Sequence, residues 1–431
     1  MNSAAFASLG VFVLAYALIL SGRLSQTLAA LLGAVAMLLV GVAFGFYSPH
    51  DVAQVIDVDT IWLLSGMMII VGLLQRTGFF QFMAIKAAKW SKGNLLTLFL
   101  ALAVASAVVS MFLDNLTTML TFVPVTLSIA EVLGISSVPF LLGEAMAADL
   151  GGVFTLIGDP PNVIIGSVGR LTFNDFLTHT APVALLASGA VFLFLTLRFR
   201  KALHAQVARS EILQQLDEQK VLTDRRAMAR LLLIFSGVIL LFVAHRWLRL
   251  TPGLVTLCGV ALAIAVLRPK VEDVLESIEW ELLIFLLSLF VVVGGLNRSG
   301  ALPFLARQLS AFGQGSVVLL ALLFFWGAGI LSLFISAVPA TVAFVPLVQE
   351  LGALGVPVNP LWWALALGIG FAGPATPFAT AANLAVFNLA KHGPEPLNYR
   401  EWLAMGLPAY LIAGLLGSLL LWLAIRIGWF L

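Results

Sequence analysis

Two short polar stretches interrupt long apolar runs in this sequence, and they hold the residues best suited to chemistry. The first is Phe-Leu-Asp-Asn-Leu-Thr-Thr at 112–118, and the second is Thr-Leu-Ile-Gly-Asp-Pro-Pro-Asn at 155–162. A carboxylate at bilayer depth costs at least ~2.5 kcal/mol even on the most lenient insertion scale, so it belongs in a protein-lined site rather than against lipid. Asp114 and Asp159 are therefore the candidate carriers of a coupling proton or sodium ion.

Uncharged hydrogen-bonding groups surround these acids and recur in the second half of the chain. Asp149 is a third candidate for the coupling ion, beside Gly151, whereas Glu144 could reach toward the inner surface. Asp114 is also a good helix N-cap residue, and capping is compatible with binding. The expected substrate-binding residues are Asn115, Thr117, Thr118, Thr155, Asn162, Ser336, Thr341, Thr376 and Asn383.

The second stretch breaks a membrane helix. Pro160 and Pro161 remove backbone donors and clash with the preceding turn, so carbonyl groups near 154–157 lose their helical partners. Free carbonyls can hold a cation, and a helix N-terminus that faces a cavity can hold an anion. The alternative is a helix that simply ends at the external surface, in which case Asp159 would lie away from Asp114.

Composition places the chain in a membrane. It has 431 residues, of which 61% are hydrophobic and 10% charged, with a mean hydropathy of +1.07. Soluble domains carry roughly 25% charged residues. A net charge of +2 gives no indication of nucleic-acid binding, and the single cysteine, Cys258, allows neither a disulfide within the chain nor a multi-thiolate metal site. The sequence has no Gly-Lys dipeptide for a Walker A loop and no H-E-x-x-H motif, so neither an enzyme nor a bound cofactor is expected.

Ten apolar runs are long enough to cross the bilayer, which takes about 20 residues. Two further stretches, 94–134 and 315–353, are too long for one helix and are interrupted midway, so we interpret them as re-entrant helical hairpins. The ten predicted crossings lie near 4–20, 27–47, 60–75, 139–157, 178–198, 231–247, 252–267, 281–297, 361–378 and 402–425.

The two halves of the chain match each other. A shift of 222 positions places Arg76-Thr77-Gly78 on Arg298-Ser299-Gly300 and Pro124 on Pro346, although chance similarity of apolar runs is the alternative. Five crossings per half turn a sequence repeat into an inverted structural repeat, which is typical of secondary transporters. The predicted division is residues 1–199 (scaffold 1–75, hairpin 94–134, broken helix 139–169), a linker at 200–230, and residues 231–431 (scaffold 231–297, hairpin 315–353, broken helix 361–390).

The linker also predicts orientation. It is the one long polar segment and is rich in Lys and Arg, so the positive-inside rule assigns it to the cytoplasm and both termini to the outside. We expect a multi-pass protein of the bacterial inner membrane. Segments 79–91 and 301–312 lead into the hairpins and resemble interfacial amphipathic helices, with ordinary loops as the alternative.

The motifs Asp-Asn-Leu-Thr-Thr-Met-Leu-Thr at 114–121 and Gly-Gly-x-x-Thr-Leu-Ile-Gly-Asp-Pro-Pro-Asn at 151–162 closely resemble the ArsB/NhaD branch of the ion transporter superfamily. That branch includes arsenite permeases, sodium/proton antiporters and the melanosomal P protein. With the crossings counted above, the resemblance implies an all-α polytopic membrane protein. It would have ten transmembrane helices and two re-entrant hairpins in two inverted repeats, the elevator-type ion transporter superfamily fold.

The resemblance implies proton-coupled efflux of arsenite or antimonite by alternating access. Arsenite near neutral pH is mostly a neutral trihydroxide, which the uncharged site residues could bind by hydrogen bonds. Sodium/proton antiport at the same acids and sodium-coupled import of a dicarboxylate or another divalent anion remain open, and a channel with a fixed pore is disfavoured. The expected partners are this small inorganic substrate, protons or sodium, and the lipid bilayer; a soluble ATPase and a homodimer are left open.

Overall fold

The structure is a computed structural model that describes residues 2–204, 217–391 and 395–430. Every regular element within these ranges is helical, which confirms the predicted all-α class. Residues 205–216 of the predicted linker lie outside the described residues.

Helices of the first half follow one another with short connections. Gly45, Gly78 and Gly134 have positive φ at helix ends, a backbone conformation that residues with a side chain rarely adopt. The long helices are α1 (Ser3–Ser21), α2 (Gln26–Phe44), α3 (Val58–Arg76), α4 (Phe79–Trp90), α5 (Leu95–Ser110), α6 (Asn115–Leu133), α7 (Val138–Gly152), α8 (Pro160–Gly169) and α9 (Phe173–Arg198).

The second half repeats this order. Its long helices are α10 (Arg225–Leu248), α11 (Pro252–Leu267), α12 (Trp280–Arg298), α13 (Ala301–Phe312), α14 (Val317–Ile335), α15 (Ala337–Ala353), α16 (Asn359–Ala372), α17 (Ala381–Ala390) and α18 (Tyr399–Arg426). Short helical turns occupy Pro49–Asp51, Val52–Val55, Arg200–Leu203, Val271–Glu276 and Gly373–Ala375.

Helix boundaries and packing both reproduce the sequence repeat. Helices α3 and α12 begin and end 222 positions apart, as do α4 and α13. The packing is reciprocal, because α2 lies against α12 as α11 lies against α3, and α6 lies against α17 as α15 lies against α8. Within each half, α5 packs on α7 and α14 on α16. The inverted orientation of the halves and the domain division given above stay predictions.

The ten predicted crossings do not all correspond to single uninterrupted helices. Nine helices in the described residues are long and apolar enough to span a membrane. Seven of them coincide with predicted crossings, and the other two, α6 and α14, belong to the hairpins. The run predicted at 139–157 stops being helical after Gly152, and that at 361–378 after Ala372, because each enters a glycine- and proline-containing break. The run at 252–267 is a helix of 16 residues.

Both hairpins consist of two helices with a turn between them. The first turn lies between Ser110 and Asn115, whereas Ser336 alone separates α14 from α15. Ser336 has φ +74°, which is strained for a residue with a side chain. The segments leading into the hairpins are the helices α4 and α13 rather than ordinary loops.

Two arginines join the halves reciprocally. Arg76, the last residue of α3, pairs with Asp273 and Glu276 of the second half, each at 2.7 Å. Its counterpart Arg298, the last residue of α12, pairs with Asp51 of the first half at 3.0 Å. An arginine at the same position of the repeat therefore pairs, in each half, with acidic residues of the other half.

Candidate functional site

A cavity of about 990 Å³ opens between the two halves, at the tips of both hairpins. Five residues of the predicted site line it: Asp114, Asn115, Thr117, Asp159 and Ser336. The structure therefore brings the two acids of the first half and the tip of the second hairpin to one surface. Their role in binding or coupling stays a prediction.

Six helices begin on the wall of this cavity: α6, α8, α15 and α17 at the hairpin tips and breaks, and in addition α2 and α12. Each N-terminus carries a partial positive charge of about half a unit from its free N–H groups. The N-cap residues of α6, α8, α15 and α17 are Asp114, Asp159, Ser336 and Thr380, respectively. At the hairpin tips and breaks, the first half therefore places carboxylates at its helix ends, whereas the second half has neutral groups; at α2 and α12 the order is reversed, with Ser25 and Glu279 as the N-cap residues.

Asp114 caps α6, and its backbone holds the hairpin tip. The Oδ1 atom of Asp114 accepts the Thr117 N–H at 2.8 Å, and its carbonyl accepts the Thr118 hydroxyl at 3.0 Å. Next to it, the Ser110 hydroxyl donates to Asn115 Oδ1 at 2.5 Å. The tip is thus held by its own hydrogen bonds, and capping and exposure to the cavity coexist in Asp114.

Asp159 has no such partner. It occupies the N-cap position of α8 without a side-chain capping bond, and the carboxylates of Asp149 and Asp114 are close enough to interact with it electrostatically. No hydrogen bond or ion pair of its carboxylate is found among residues 2–204, 217–391 and 395–430. Asp159 therefore lies near Asp114, as predicted if the broken helix contributes to the site.

Asn162 and Asn383 each hydrogen-bond to backbone carbonyls at the break of their helix. Asn162 donates through Nδ2 to the carbonyls of Gly152 at 3.0 Å and Thr155 at 2.9 Å. Asn383 donates to the carbonyls of Gly373 at 2.8 Å and Thr376 at 3.4 Å, at the same sequence separations. Both side chains are buried and outside the cavity wall. They satisfy carbonyls that lost their helical donors, and their assignment to substrate binding stays a prediction.

Asp149 connects the two halves. It is 1% exposed, and its carboxylate accepts from Asn115 Nδ2 at 3.4 Å, Thr380 Oγ1 at 3.2 Å and Asn383 Nδ2 at 2.8 Å. Two of these donors belong to the second half, whose own break contains no acid. The first half therefore supplies a carboxylate to the second half's break.

The remaining predicted threonines, Thr155, Thr341 and Thr376, are not lining residues, and their hydroxyl groups hydrogen-bond to the backbone. The hydroxyl of Thr155 donates to the Met111 carbonyl, which ties the broken helix to the hairpin tip. Thr341 donates to the Ala337 carbonyl at 2.8 Å, and Thr376 Oγ1 accepts the Phe378 N–H at 3.3 Å. Their roles in substrate binding stay predictions.

Glu279 lines the cavity and was not among the predicted site residues. It precedes α12 without a capping bond, whereas its counterpart Asp57 accepts from Thr60 N and Thr60 Oγ1. The Glu279 carboxylate is close enough to Asp114 to interact electrostatically. The repeat aligns Glu279 with Asp57, but sequence does not show that only one of them turns toward the cavity.

Glu144 was expected to extend toward the inner surface, and this expectation is wrong. Its side chain is 1% exposed and lies between helices, where Oε1 accepts the Thr126 hydroxyl at 2.6 Å. The α7 helix is buried on every side around this position, so no water-facing path is open to a long side chain.

The cavity wall is acidic. Its lining carboxyl groups belong to Asp114, Asp159, Glu276, Glu279 and Glu281. Among the described lining residues the cation is Arg76, which is already paired with Glu276 and Asp273. A ligand that is purely anionic would therefore need a cation, or the helix N-termini, to offset this charge.

Structural comparison defines the class of protein. The fold is similar to that of the Alcanivorax borkumensis YdaH transporter, with a TM-score of 0.63, 16% identity and coverage of 90% of each chain. It is also similar to Neisseria gonorrhoeae MtrF, with a TM-score of 0.56, 12% identity, and coverage of 84% of this chain and 80% of the other. The chain has the fold of a multi-pass membrane transporter.

Sequence comparison defines the family. A profile described as "Citrate transporter" matches residues 16–368, and the chain belongs to that family. An uncharacterized transporter of Mycobacterium bovis is 37% identical over 96% of this chain and 97% of its own length. The magnetosome protein MamN of Paramagnetospirillum magneticum is 30% identical over 98% of this chain and 99% of its own. The family found is thus the citrate transporter family, which supports the membrane permease type predicted from the motifs but not the ArsB/NhaD branch in particular.

Proposed function

We propose that this protein is a secondary active transporter that couples a proton or sodium ion to the movement of a carboxylate-bearing anion. One observation carries the proposal. The four helix N-termini at the hairpin tips and breaks share one cavity, and two of them have acidic N-cap residues while two have neutral ones. The cavity therefore offers a wall for a cation opposite a wall for an anion.

The cation would bind on an acidic wall to which both halves contribute. Asp114, Asp159 and Glu279 line the cavity there, and Asp159 and Glu279 have no hydrogen-bond or ion-pair partner in the described parts of the chain. Like charges brought close together in a site of low dielectric repel each other, and a bound proton or sodium ion relieves that repulsion. The coupling ion would thus complete the site before or with the substrate.

The anion would bind at the N-termini of α15 and α17. Their first residues, Ala337 and Ala381, are small and line the cavity, so a carboxylate could approach the backbone N–H groups. Ser336 and Thr380 add neutral hydroxyl groups at the same wall. The match to a family described as citrate transporters supports a carboxylate as the substrate.

Alternating access would move this site across the bacterial inner membrane. The hairpins and broken helices pack on each other across the two halves, through α6 with α17 and α15 with α8. Helices α1 to α3 and α10 to α12 form the other set of contacts. We propose that the first set moves as an elevator against the second, with the 200–230 linker in the cytoplasm and both termini outside.

Arsenite or antimonite efflux is the second candidate. The observation that favours it is that Ser336 and Thr380, at the N-termini of α15 and α17, are neutral while the lining residue Arg76 is paired, which suits a neutral trihydroxide as well as a carboxylate. In this version Asp114 or Asp159 would carry the exchanged proton. A soluble ATPase partner and a homodimer belong to this candidate as further proposals.

Purified protein in liposomes distinguishes these candidates. We expect radiolabelled citrate or succinate to accumulate when an inward proton or sodium gradient is imposed, and not when the gradient is collapsed. Arsenite accumulation in everted vesicles without carboxylate uptake would favour the second candidate. Sodium-driven proton movement with neither solute present would instead indicate a sodium/proton antiporter. Carboxylate flux that ignores both gradients would overturn the proposal of coupled transport.

A further inference from the structure

The joint between α3 and α4 and its counterpart between α12 and α13 have the same backbone but different neighbours. Gly78 and Gly300 begin the second helix of each pair with φ +81° and +83°. Within residues 2–204, 217–391 and 395–430, a methyl group at Gly300 would meet nothing within 4 Å. A methyl group at Gly78 would overlap the carbonyl oxygen of Val221. A segment of the linker therefore lies directly on the first joint.

The linker residues 217–224, here called the strap, hydrogen-bond to the end of α3. The Thr223 N–H donates to the Thr77 carbonyl at 3.0 Å, and the Thr223 hydroxyl donates to the Arg76 carbonyl at 2.8 Å. The last carbonyls of a helix lack partners inside the helix, so these two bonds satisfy groups that water would otherwise solvate. Thr223 thus takes the place of a C-terminal cap on α3.

The strap also reaches α4, at its far end. Glu218 forms an ion pair with Lys89 at 2.6 Å, and the hydrogen bond from Lys89 lowers the pKa of Glu218. At the other end of the strap, Asp224 caps α10 by accepting the N–H groups of Arg226 and Ala227 at 2.9 and 3.0 Å. The strap therefore connects α3, α4 and the start of α10.

The second joint is held differently. Ser299, the counterpart of Thr77, has its hydroxyl 2.6 Å from that of Ser8 on α1. Gly300 itself is open, as described above. The arm α13 is therefore tied to a neighbouring helix at its base and carries no strap on its glycine.

We propose that the strap restrains the α3–α4 joint and so limits the movement of α4, the arm that leads into the acidic hairpin. The neutral hairpin, reached through α13, has a joint without this restraint. The consequence for transport rests on the proposed alternating access. The restraint itself depends only on the contacts of the strap.

Hydrogen–deuterium exchange of the purified full chain tests the restraint directly. Thr223→Val keeps the shape of the side chain and removes the hydroxyl donor, and we expect exchange at the α3–α4 joint to become about fivefold faster, the effect of losing one hydrogen bond. Exchange in α13 should not change. Equal exchange at the joint in wild type and Thr223→Val would overturn the proposal.

A glycine pair provides the matched control. Gly78→Ala and Gly300→Ala impose the same left-handed strain, but only the first displaces the strap. We expect faster trypsin cleavage after Lys220 in Gly78→Ala than in Gly300→Ala, and cleavage at the wild-type rate in the latter. Equal cleavage in the two variants would also overturn the proposal.

Transport supplies a separate readout. Releasing the strap with Thr223→Val should raise turnover about threefold and leave KM unchanged, because the cavity residues are intact. Unchanged turnover would overturn control of transport by the strap. If the wild-type protein carries none of the tested solutes, the proposed function fails, while the exchange and cleavage measurements still decide whether the strap restrains α4.

Discussion

The two halves of this transporter share a backbone plan and differ in the chemistry of their helix ends. Both have a hairpin, a broken helix, and an asparagine that donates to the carbonyls of the break. At the cavity, however, the first half presents Asp114 and Asp159 where the second presents Ser336 and Thr380. In this duplicated fold the residues that make the break recur, while the residues that face the cavity differ.

The difference also explains how the breaks are linked. Thr380 and Asn383 of the second half donate to Asp149 of the first, so the neutral half depends on an acid that it does not contain. A shift of 221 positions, which places Asn162 on Asn383, places Asp149 on Gly370, and Gly370 has no side chain to return the contact. The halves are therefore complementary rather than independent copies.

The largest expected effect is a difference between the two hairpin tips: removing the acid from the first should reduce transport far more than removing the hydroxyl from the second. Asp114→Asn should reduce cation-driven uptake about 100-fold, because a neutral amide neither carries a proton nor attracts sodium as the carboxylate does. Ser336→Ala should reduce it less than about threefold, since one neutral hydroxyl among backbone donors is lost. Initial rates in liposomes measure both. Similar losses in the two variants would remove the distinction between an acidic and a neutral wall.

The asparagines should differ in their effect on stability. Asn162→Ala leaves two carbonyls without donors, whereas Asn383→Ala also takes a donor from the buried Asp149. We expect Asn383→Ala to lower the free energy of unfolding by ~1–3 kcal/mol more than Asn162→Ala. Thermal unfolding in detergent measures the difference.

A double variant isolates the Asp149 contact in that comparison. Adding Asp149→Asn to Asn383→Ala should recover most of the extra loss, because the unpaired buried charge is gone. An extra loss that persists unchanged in the double variant would show that Asp149 is not its source.

Substitutions at Glu279 and at Asp57 should change different properties: the first should change cation affinity, and the second should change thermal stability. Glu279→Gln is expected to weaken the affinity for the driving cation about tenfold, because it removes a carboxylate from the cavity. Asp57→Ala should leave that affinity unchanged and lower the melting temperature, because alanine cannot accept the hydrogen bonds from Thr60 by which Asp57 caps α3. Uptake at varied sodium or proton concentration and thermal unfolding give the two values. Weaker cation affinity in Asp57→Ala would contradict the assignment.

The smallest effect is expected at the ion pair between Arg298 and Asp51, whose contribution to stability depends on pH. Hydrogen bonds from Ser48, together with the Arg298 charge, lower the pKa of Asp51 below its usual 3.8. The stabilisation by Asp51 is therefore complete above pH 3.8 and is lost as the pH falls through the lowered pKa. Ser48→Ala should move this loss to higher pH, nearer 3.8. Melting curves across that range check the shift, and identical curves for both proteins would contradict it.

Much of the fold could be predicted from sequence because its signals are local. Apolar length set the membrane class, glycine and proline marked the breaks at 152–159 and 373–377, and the 222-residue shift paired α3 with α12 and α4 with α13. The lengths of the helices were less accessible. The runs at 139–157 and 361–378 are long and mostly apolar, but their α-helices end partway along, at Gly152 and Ala372.

The candidate site, like the fold, could be predicted only in part from the sequence. Sequence alone identified Asp114, Asn115, Thr117, Asp159 and Ser336 as polar groups at membrane depth, because such residues are costly in lipid. It could not show that Glu279 faces the cavity while Asp57 caps a helix, since the two occupy equivalent positions. Nor could it show that Asn162 and Asn383 hold the breaks while Asp149 bridges the halves, because these contacts join residues distant in the chain. The sequence determined which side chains are expensive to bury, and only the tertiary structure decided which of them face the cavity and which satisfy each other.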